Sequence, residues 1–246
     1  MFSQNTCIEP GCCKNSLSTF NSNGDIIEAA GYCLDHSPDK EGIKQQIYNY
    51  INTHDKIVGL DACGLVFENI DLTNKRFYGC NFMHCKFINL HSSGFRSRMS
   101  MFDFAIFSDC NLLQSNMQFT SFAGSIFSHT LFTESDMIQD NFSGIQSYQS
   151  SFDDSDLYNS RFVRAKLIDT SFRNCNVKKT VFRLIEQQNV LFKYSNTREA
   201  IFDQEQSQLF AGELDDKIAY KIPKDCNDIL RDFFYSACID FMLKYV

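Results

Sequence analysis

The 246-residue chain has no tryptophan, three prolines and eleven glycines, and it nowhere runs apolar for the length a membrane helix needs. A span takes about 18 or more consecutive apolar residues, and no charged-then-apolar leader opens the chain, so neither a membrane span nor a secretory signal is read from it. Also missing are a glycine-rich phosphate loop, a nucleophile elbow and a metalloprotease helix motif. These absences point away from an enzyme. Eleven cysteines would suit a disulfide-rich secreted protein, but their positions, taken up below, point elsewhere.

What the chain has in excess is phenylalanine, 25 of them, and they keep a beat. Stepping by five from Phe67 to Phe202 visits 28 positions, of which 16 are Phe and seven are Leu, Met or Val, leaving only Ser92, Ser97, Ser147, Gln187 and Thr197. A helix repeats every 3.6 residues and a strand every 2, so a five-residue period belongs to a repeating higher-order unit. Two residues before each large position lies a mostly small one: Cys80, Cys85, Ser100, Ala105, Cys110, Ser115, Thr120 and onward to Thr180. Where the large residue is lost the small one is enlarged, as in Leu90 before Ser92, Phe95 before Ser97, Ile145 before Ser147 and Ile185 before Gln187. That exchange conserves volume in a packed interior.

A longer period is superimposed, because Phe82, Phe102, Phe122, Phe142, Phe162, Phe182 and Phe202 recur every 20 residues. Four units thus make a coil, and residues 65 to 205 read as about seven coils stacked roughly 4.8 Å apart by strand-type hydrogen bonds. Cys80, Cys85, Cys110 and Cys175 fall in the small inward column, where a thiol fills space as a small hydrophobe. A reducing cytoplasm is the compartment this implies.

The segment resembles the pentapeptide repeat family, whose unit is A-(D/N)-L-x-x, with "SDMIQ" (135 to 139), "SDLYN" (155 to 159) and "CNVKK" (175 to 179) as close matches. The resemblance covers about 140 residues and implies an all-β solenoid, a right-handed quadrilateral β-helix with large and small residues pointing inward. The chain departs from the family pattern in placing Phe rather than Leu at the centre, which implies an aromatic-stacked interior.

Outside the repeat, "CIEPGC" (7 to 12) and "GYCLDH" (31 to 36) form C-x4-C followed, after a gap of 20 residues, by C-x2-H. Two short loops that each supply a pair of ligands satisfy tetrahedral zinc. The pattern is similar to a small zinc knuckle that recurs beside phage-type nucleases. The resemblance makes Cys7, Cys12, Cys33 and His36 the ligands of a structural zinc, with Cys13 as a thiol able to replace Cys12. The intervening "KNSLSTFNSNGDIIEAA" reads as a hairpin or loop, and metal binding would be its folding energy.

Solenoid ends need covering. Ser37 as N-cap, Pro38 at the first helical position and Ile43, Ile47, Tyr50 and Ile51 on one face predict a helix sealing the first coil. "CNDILRDFFYSACIDFMLKYV" (226 to 246) reads as a helix with more apolar surface than a cap needs. Gyrase-protecting members of the family dimerise through hydrophobic C-terminal elements, so Phe233, Phe234, Phe241 and Met242 become candidates for a homodimer contact. The organisation that follows is a zinc knuckle over 1–36, a capping helix over 37–56, the β-helix over 57–208 and a helical cap or dimerisation element over 209–246.

Charge is banded. Residues 1–74 carry −6, 75–98 carry +5, 99–160 carry −8, 161–198 carry +7 and 199–246 carry −5, which sums to the chain's −7. In a solenoid these blocks become rings, a surface suited to a protein with complementary bands. Met101, Ile106, Ile126, Leu131, Val181, Leu191 and Ile201, each just before a large residue, offer an apolar strip. A non-enzymatic protein–protein interaction module, an adaptor or accessory subunit, is the function this supports. The family's best-known activity, imitating duplex DNA to occupy a type II topoisomerase such as DNA gyrase, is the alternative, but it needs a continuous acidic rod and the basic bands interrupt it. A nucleic-acid-binding accessory role through the knuckle and the band 161–198 is a second alternative, weakened by the acidic net charge and by few outward aromatics beyond Tyr158 and Tyr194. His84, His91 and His129 sit outward in separate units, and Glu134 over Asp154 and Asp136 over Asp156 are vertical neighbours on an open surface, so neither set makes a catalytic pair.

Overall fold

The computed structural model describes residues 5–203, and the chain divides into two units, Met1–Gln204 and Glu205–Val246. The helix expected over 226–246, with Phe233, Phe234, Phe241 and Met242, and the cap or dimerisation element over 209–246 to which it belongs lie outside the described residues. The first unit is a four-sided β-solenoid of about seven coils, running from a first rung at Lys56–Val58 to a last at Ile201–Phe202. Among the described residues no helix is long and apolar enough to cross a membrane.

Every rung pairs in parallel with the rung 20 residues on, so Lys56 faces Arg76, Arg76 faces Arg96, Arg96 faces Asn116 and Asn116 faces Asp136. Four faces result. The first is centred on Ile57, Phe77, Ser97, Met117, Met137, Leu157 and Val177. The second is centred on Ala62 and then Phe82 through Phe202, the third on Phe67 through Gln187, and the fourth on Leu72 through Phe192. The beat therefore begins two units earlier than Phe67, with Ile57 and Ala62 both fully buried.

Corners come two residues after each centre, and the backbone there is left-handed at every unit from Gly59 to Glu199. Such a φ costs an L-residue roughly 1–2 kcal/mol, least for Gly, Asn and Asp. Asn69, Asn74, Asp109, Asp154, Asn159, Gly79 and Gly124 stand at such corners. The cost is offset by hydrogen bonding up the axis: the Asn69 N–H donates to the Ile88 carbonyl at 3.0 Å and the Asp154 N–H to that of Arg173 at 2.8 Å.

The small inward column does more than fill space. Its hydroxyls and thiols donate to a carbonyl 23 residues earlier, as Ser125 does to Phe102 (2.6 Å), Ser160 to Met137 (2.7 Å), Thr180 to Leu157 (2.7 Å) and Cys85 to Ala62 (3.0 Å). The same oxygens accept from the backbone one coil back, for example Ser135 Oγ from Ser115 N–H at 2.9 Å. Inward backbone groups that water cannot reach are satisfied in this way.

Inside, the rings form ladders. On the second face Phe122, Phe142, Phe162 and Phe182 stack nearly parallel with centroids 5.2, 4.8 and 4.9 Å apart. A companion ladder on the third face, Phe67 to Phe127, gives way to one on the fourth, Phe132 to Phe192, and Phe127 meets Phe132 edge-on at the handover (5.1 Å, 89°). As expected, Leu90, Phe95, Ile145 and Ile185 are buried where the central residue is Ser or Gln.

Two elements precede the solenoid. Strands β1 (Thr19–Phe20) and β2 (Ile26–Ile27) form an antiparallel hairpin. Helix α1 spans Lys40–Thr53 and is capped by Asp39, whose carboxylate accepts from Gly42 N–H at 2.8 Å. The cap is thus Asp39 rather than Ser37, because the Ser37 N–H is held by the Cys33 carbonyl (2.9 Å) and the chain through Ser37 belongs to the preceding turn. Ile47 and Ile51 are buried, and Tyr48 packs on Phe67 at 5.1 Å. Lys75 donates to the Asn52 and His54 carbonyls at the end of the helix (3.0 and 2.9 Å) and so ties it to the first coil.

Candidate metal centre and interaction surface

Two turns converge at the N-terminal end. In the first, Cys12 N–H donates to the Glu9 carbonyl across Pro10 and Gly11, and Gly11 has φ +82°. Pro then Gly at the two central positions is the signature of a type II turn, in which only the second requires positive φ. In the second, the His36 and Ser37 N–H groups both donate to the Cys33 carbonyl (3.2 and 2.9 Å). The ligand atoms of Cys7, Cys12, Cys33 and His36 consequently lie within 4.8 Å of one another. Cys13 is exposed and outside this cluster, so the structure brings in Cys12 and not its neighbour.

The spacings can be set against a metal. Around a tetrahedral ion with sulfur at about 2.3 Å and nitrogen at about 2.05 Å, ligands stand about 3.8 Å apart sulfur to sulfur and about 3.6 Å sulfur to nitrogen. Cys12 Sγ and Cys33 Sγ are 3.9 Å apart, Cys7 Sγ and His36 Nδ1 3.6 Å, and Cys33 Sγ and His36 Nδ1 3.5 Å. These three separations match edges of such a tetrahedron, and all four atoms lie within 4.8 Å of one another. Burial pushes the Cys7 thiol up, but hydrogen bonds to it from the backbone of Cys33 and Glu9 and from the His36 ring more than offset this and bring it down to about 6. For Cys12 a backbone bond at Lys14 acts downward, while burial and the neighbouring Cys33 and Cys7 sulfurs act upward and prevail. Three thiols and an imidazole suit a soft or borderline cation in a closed structural site.

The cluster is anchored to the solenoid. Ser18 and Asp61 exchange two bonds, Ser18 N–H to the Asp61 carbonyl (2.9 Å) and Asp61 N–H to Ser18 Oγ (2.8 Å). Burial raises the Asp61 carboxyl to about 6, against the opposing bonds from Asn81 and Cys63.

On the solenoid surface the charges group by face as well as by band. Of the cations in 75–98, Arg76, Arg96 and Arg98 share the first face, Lys86 lies on the third, and Lys75 is nearly buried against the helix end. The acidic band is weaker than its formal charge, because Asp140 stands in the small inward column and is only 1% exposed. Its Oδ1 accepts from Thr120 N–H (2.8 Å), its N–H donates to Ser160 Oγ (2.9 Å) and its Oδ2 has no partner. Burial raises its carboxyl well above the ordinary range. Asp103 is also raised by burial, and it accepts from Ala123 N–H at 2.9 Å.

The apolar strip expected before the large residues is mostly half-buried, since Ile106 and Ile126 are rung neighbours that cover each other; Leu131 and Leu191 are the exposed members. More exposed apolar groups stand at corners that the sequence reading passed over, among them Leu184 (60%), Met99 (59%), Phe119 (56%) and Phe104 (44%). Phe104 stacks on His84 at 5.3 Å, and a side chain at Gly124 would strike its ring. His84, His91 and His129 are exposed in separate units, and Asp136 and Asp156 are rung neighbours, Asp136 exposed and Asp156 half-buried.

Residues 102–144 and 148–183 match the family model for pentapeptide repeats, in eight copies. The matched family is a repeat architecture and indicates no catalytic family. No curated protein matches the chain. Among solved structures it is similar to a pentapeptide repeat protein, Rfr23, from the cyanobacterium Cyanothece 51142, with 10% identity over 65% of this chain and 99% of that one (TM-score 0.39). It is also similar to a trypsin-treated variant of QnrB1, a plasmid-mediated fluoroquinolone resistance protein, with 16% identity over 68% of this chain and 92% of that one (TM-score 0.40). A third is HetL, a pentapeptide repeat protein involved in heterocyst differentiation regulation from Nostoc sp. strain PCC 7120, with 10% identity over 65% of this chain and 97% of that one (TM-score 0.27). The pentapeptide repeats matched between Phe102 and Arg183 thus lie inside a solenoid whose coil geometry runs from Lys56 to Phe202.

Proposed function

We propose that the protein is a non-enzymatic recognition scaffold that docks another protein on the second face of its solenoid, with a structural zinc on Cys7, Cys12, Cys33 and His36 holding the N-terminal hairpin in place. The observation that carries the docking reading is a charge-poor strip. From Met101 to Gly144 the outward positions of that face that reach solvent are Met101, Asp103, Ser121, Ala123, Asn141 and Ser143, with Asp103 the single carboxylate among them, while Asn81 and Met83 below them are buried. Gly124 and Gly144 flatten one edge, while Phe104, Met99 and Phe119 raise apolar groups at the corners. A flat centre of small, almost uncharged residues edged by apolar corner groups matches the depletion of charge at an interface core rather than a solvated wall. The zinc reading rests on the convergence of the four candidate ligand atoms within 4.8 Å of one another, three of the pairs at 3.5–3.9 Å. Cysteines kept as thiols in the small column suit a cytoplasmic setting.

Ala123→Arg tests the docking reading by placing a charge in the middle of the strip. Wild-type protein should retain a specific protein from host lysate that the variant loses; retention of nothing specific, or of the same proteins by both, would refute it. The topoisomerase alternative predicts inhibition or protection in a supercoiling assay with DNA gyrase at micromolar protein. The inward Asp140 reduces the acidic rod that this activity needs, and no effect is expected. Nucleic-acid retardation at low salt is likewise expected to be absent.

A further inference from the structure

We propose that the first face of the solenoid binds a second copy of this chain, face to face with the two coil axes antiparallel. The outward column just before the centres of that face reads Lys56, Arg76, Arg96, Asn116, Asp136, Asp156, Asn176, one residue per rung. Three cations are therefore stacked at one end and two carboxylates two rungs further on. Adjacent rungs are about 4.8 Å apart, and like charges on neighbouring strands destabilise a sheet. The chain relieves this only in part. Lys56 lies over the Tyr78 ring at 5.5 Å, Asn116 Nδ2 donates to Asp136 at 3.1 Å and Asn176 Nδ2 to Asp156 at 3.0 Å. Among the described residues neither Arg76 nor Arg96 has an ion pair.

A two-fold axis lying in the interface along the strand direction keeps each column opposite itself while reversing the order of the coils. Placed at the Asn116 rung, it sets Arg96 against Asp136 of the second copy and Arg76 against Asp156, and symmetry repeats both contacts. The two free arginines thus meet the two stacked carboxylates, while Lys56, already on a tyrosine ring, is left outside. The neighbouring outward column follows the same axis: Tyr78 comes opposite Tyr158, Gln118 opposite itself, and the stem of Arg98 opposite Ile138. Phe119, at the edge of the face, falls on the axis and meets its own counterpart. An isologous contact requires this kind of self-complementarity. The patch spans four rung intervals and one short strand, about 20 by 10 Å per copy, below the roughly 1,000 Å² of total buried area that a lasting interface needs. The association is therefore weak, concentration-dependent and sensitive to salt.

Sedimentation velocity of the full chain over a concentration series, at low and high salt, tests it. Arg96→Asp and Asp136→Arg each convert two attractive contacts into two repulsive ones and should weaken dimerisation by about tenfold or more. The double variant restores opposite charges at both contacts and should return close to wild type, with all variants keeping the wild-type far-UV circular dichroism. A wild-type chain that stays monomeric throughout, single variants that dimerise as wild type does, or a double variant no better than either single one would each overturn the proposal. It stands apart from the docking reading, because Ala123 lies on a different face and Ala123→Arg should leave dimerisation unchanged.

Discussion

Asp140 sits where the repeat places Ser, Thr, Cys or Ala, and replacing it with serine should make the solenoid more stable, increasingly so as pH rises. Two parts of its environment set the size of the effect. Its Oδ1 accepts from Thr120 N–H, a role that Ser135 Oγ fills for Ser115, so serine can keep that bond. Its Oδ2 has no partner, whereas Ser160 and Thr180 in the same column donate to a carbonyl, so serine should gain a bond worth roughly 0.5–1.5 kcal/mol at any pH. The remainder depends on protonation. Burial raises the folded carboxyl well above the ordinary range, so over the interval above the unfolded pKa the folded chain holds a proton that the unfolded chain has released. Unfolding then releases a proton, and stability falls as pH rises from about 4 by up to about 1.4 kcal/mol per pH unit until the folded group itself ionises. Every other titrating group is common to both proteins, so the difference between their denaturation curves isolates Asp140. Urea midpoints measured from pH 4 to pH 8 should show the Asp140→Ser advantage widening across the lower part of that range. Parallel profiles, or a variant less stable than wild type at pH 7, would refute the reasoning.

Two further predictions concern the interior and the metal. Phe142 stacks between Phe122 and Phe162 and meets Phe152 edge-on at 5.7 Å, all fully buried, so Phe142→Ala should cost about 3–5 kcal/mol in denaturant unfolding; a loss under 1 kcal/mol would mean that the ladder collapses around the gap. Metal analysis should find close to one zinc per chain and far less in Cys33→Ala, with protease nicking of the variant confined to the region before residue 40 while the solenoid persists; full zinc content in the variant would rule out Cys33 as a ligand.

The five-residue beat made the fold legible because each unit repeats the same two inward positions, and a run of agreeing units leaves no other object with that period. The Cys/His cluster was legible for a related reason: "EPGC" encodes a tight turn and "CLDH" a second one, so its four side chains come in two local pairs. The start of α1 was misplaced because Ser37 and Asp39 are both good caps, and the choice between them is made by the Cys33 carbonyl, a contact that the sequence does not display. The corner column was available and passed over. Asn, Asp and Gly recur two residues after the centres, as left-handed corners require, and exceptions such as Met99, Phe104 and Phe119 mark where the surface carries apolar groups.

Asp140 and the charge bands went astray together, for a reason that applies to any solenoid. Position along the chain fixes the coil to within a quarter turn, so summing charge over a window of one to three coils averages over four walls that point in different directions. Arg76, Arg96 and Arg98 form a patch because 76, 96 and 98 share a face, and Lys86, between them in sequence, is on another wall. Direction within the unit matters equally: Asp140 is two residues before a centre and points inward, whereas Asp136, one before a centre, points out and is exposed. A residue's place modulo 5 therefore decides whether its charge reaches solvent at all, and its place modulo 20 decides which partner could meet it. Sorted in that way, the acids of 99–160 do not form one continuous rod. They divide into the rung pair Asp136 and Asp156 on the first face, Asp103 and Asp153 just after centres of the second and fourth faces, the corner carboxylates Asp109, Glu134 and Asp154, and the buried Asp140, and of these only the rung pair stands in line with a matching stack of arginines.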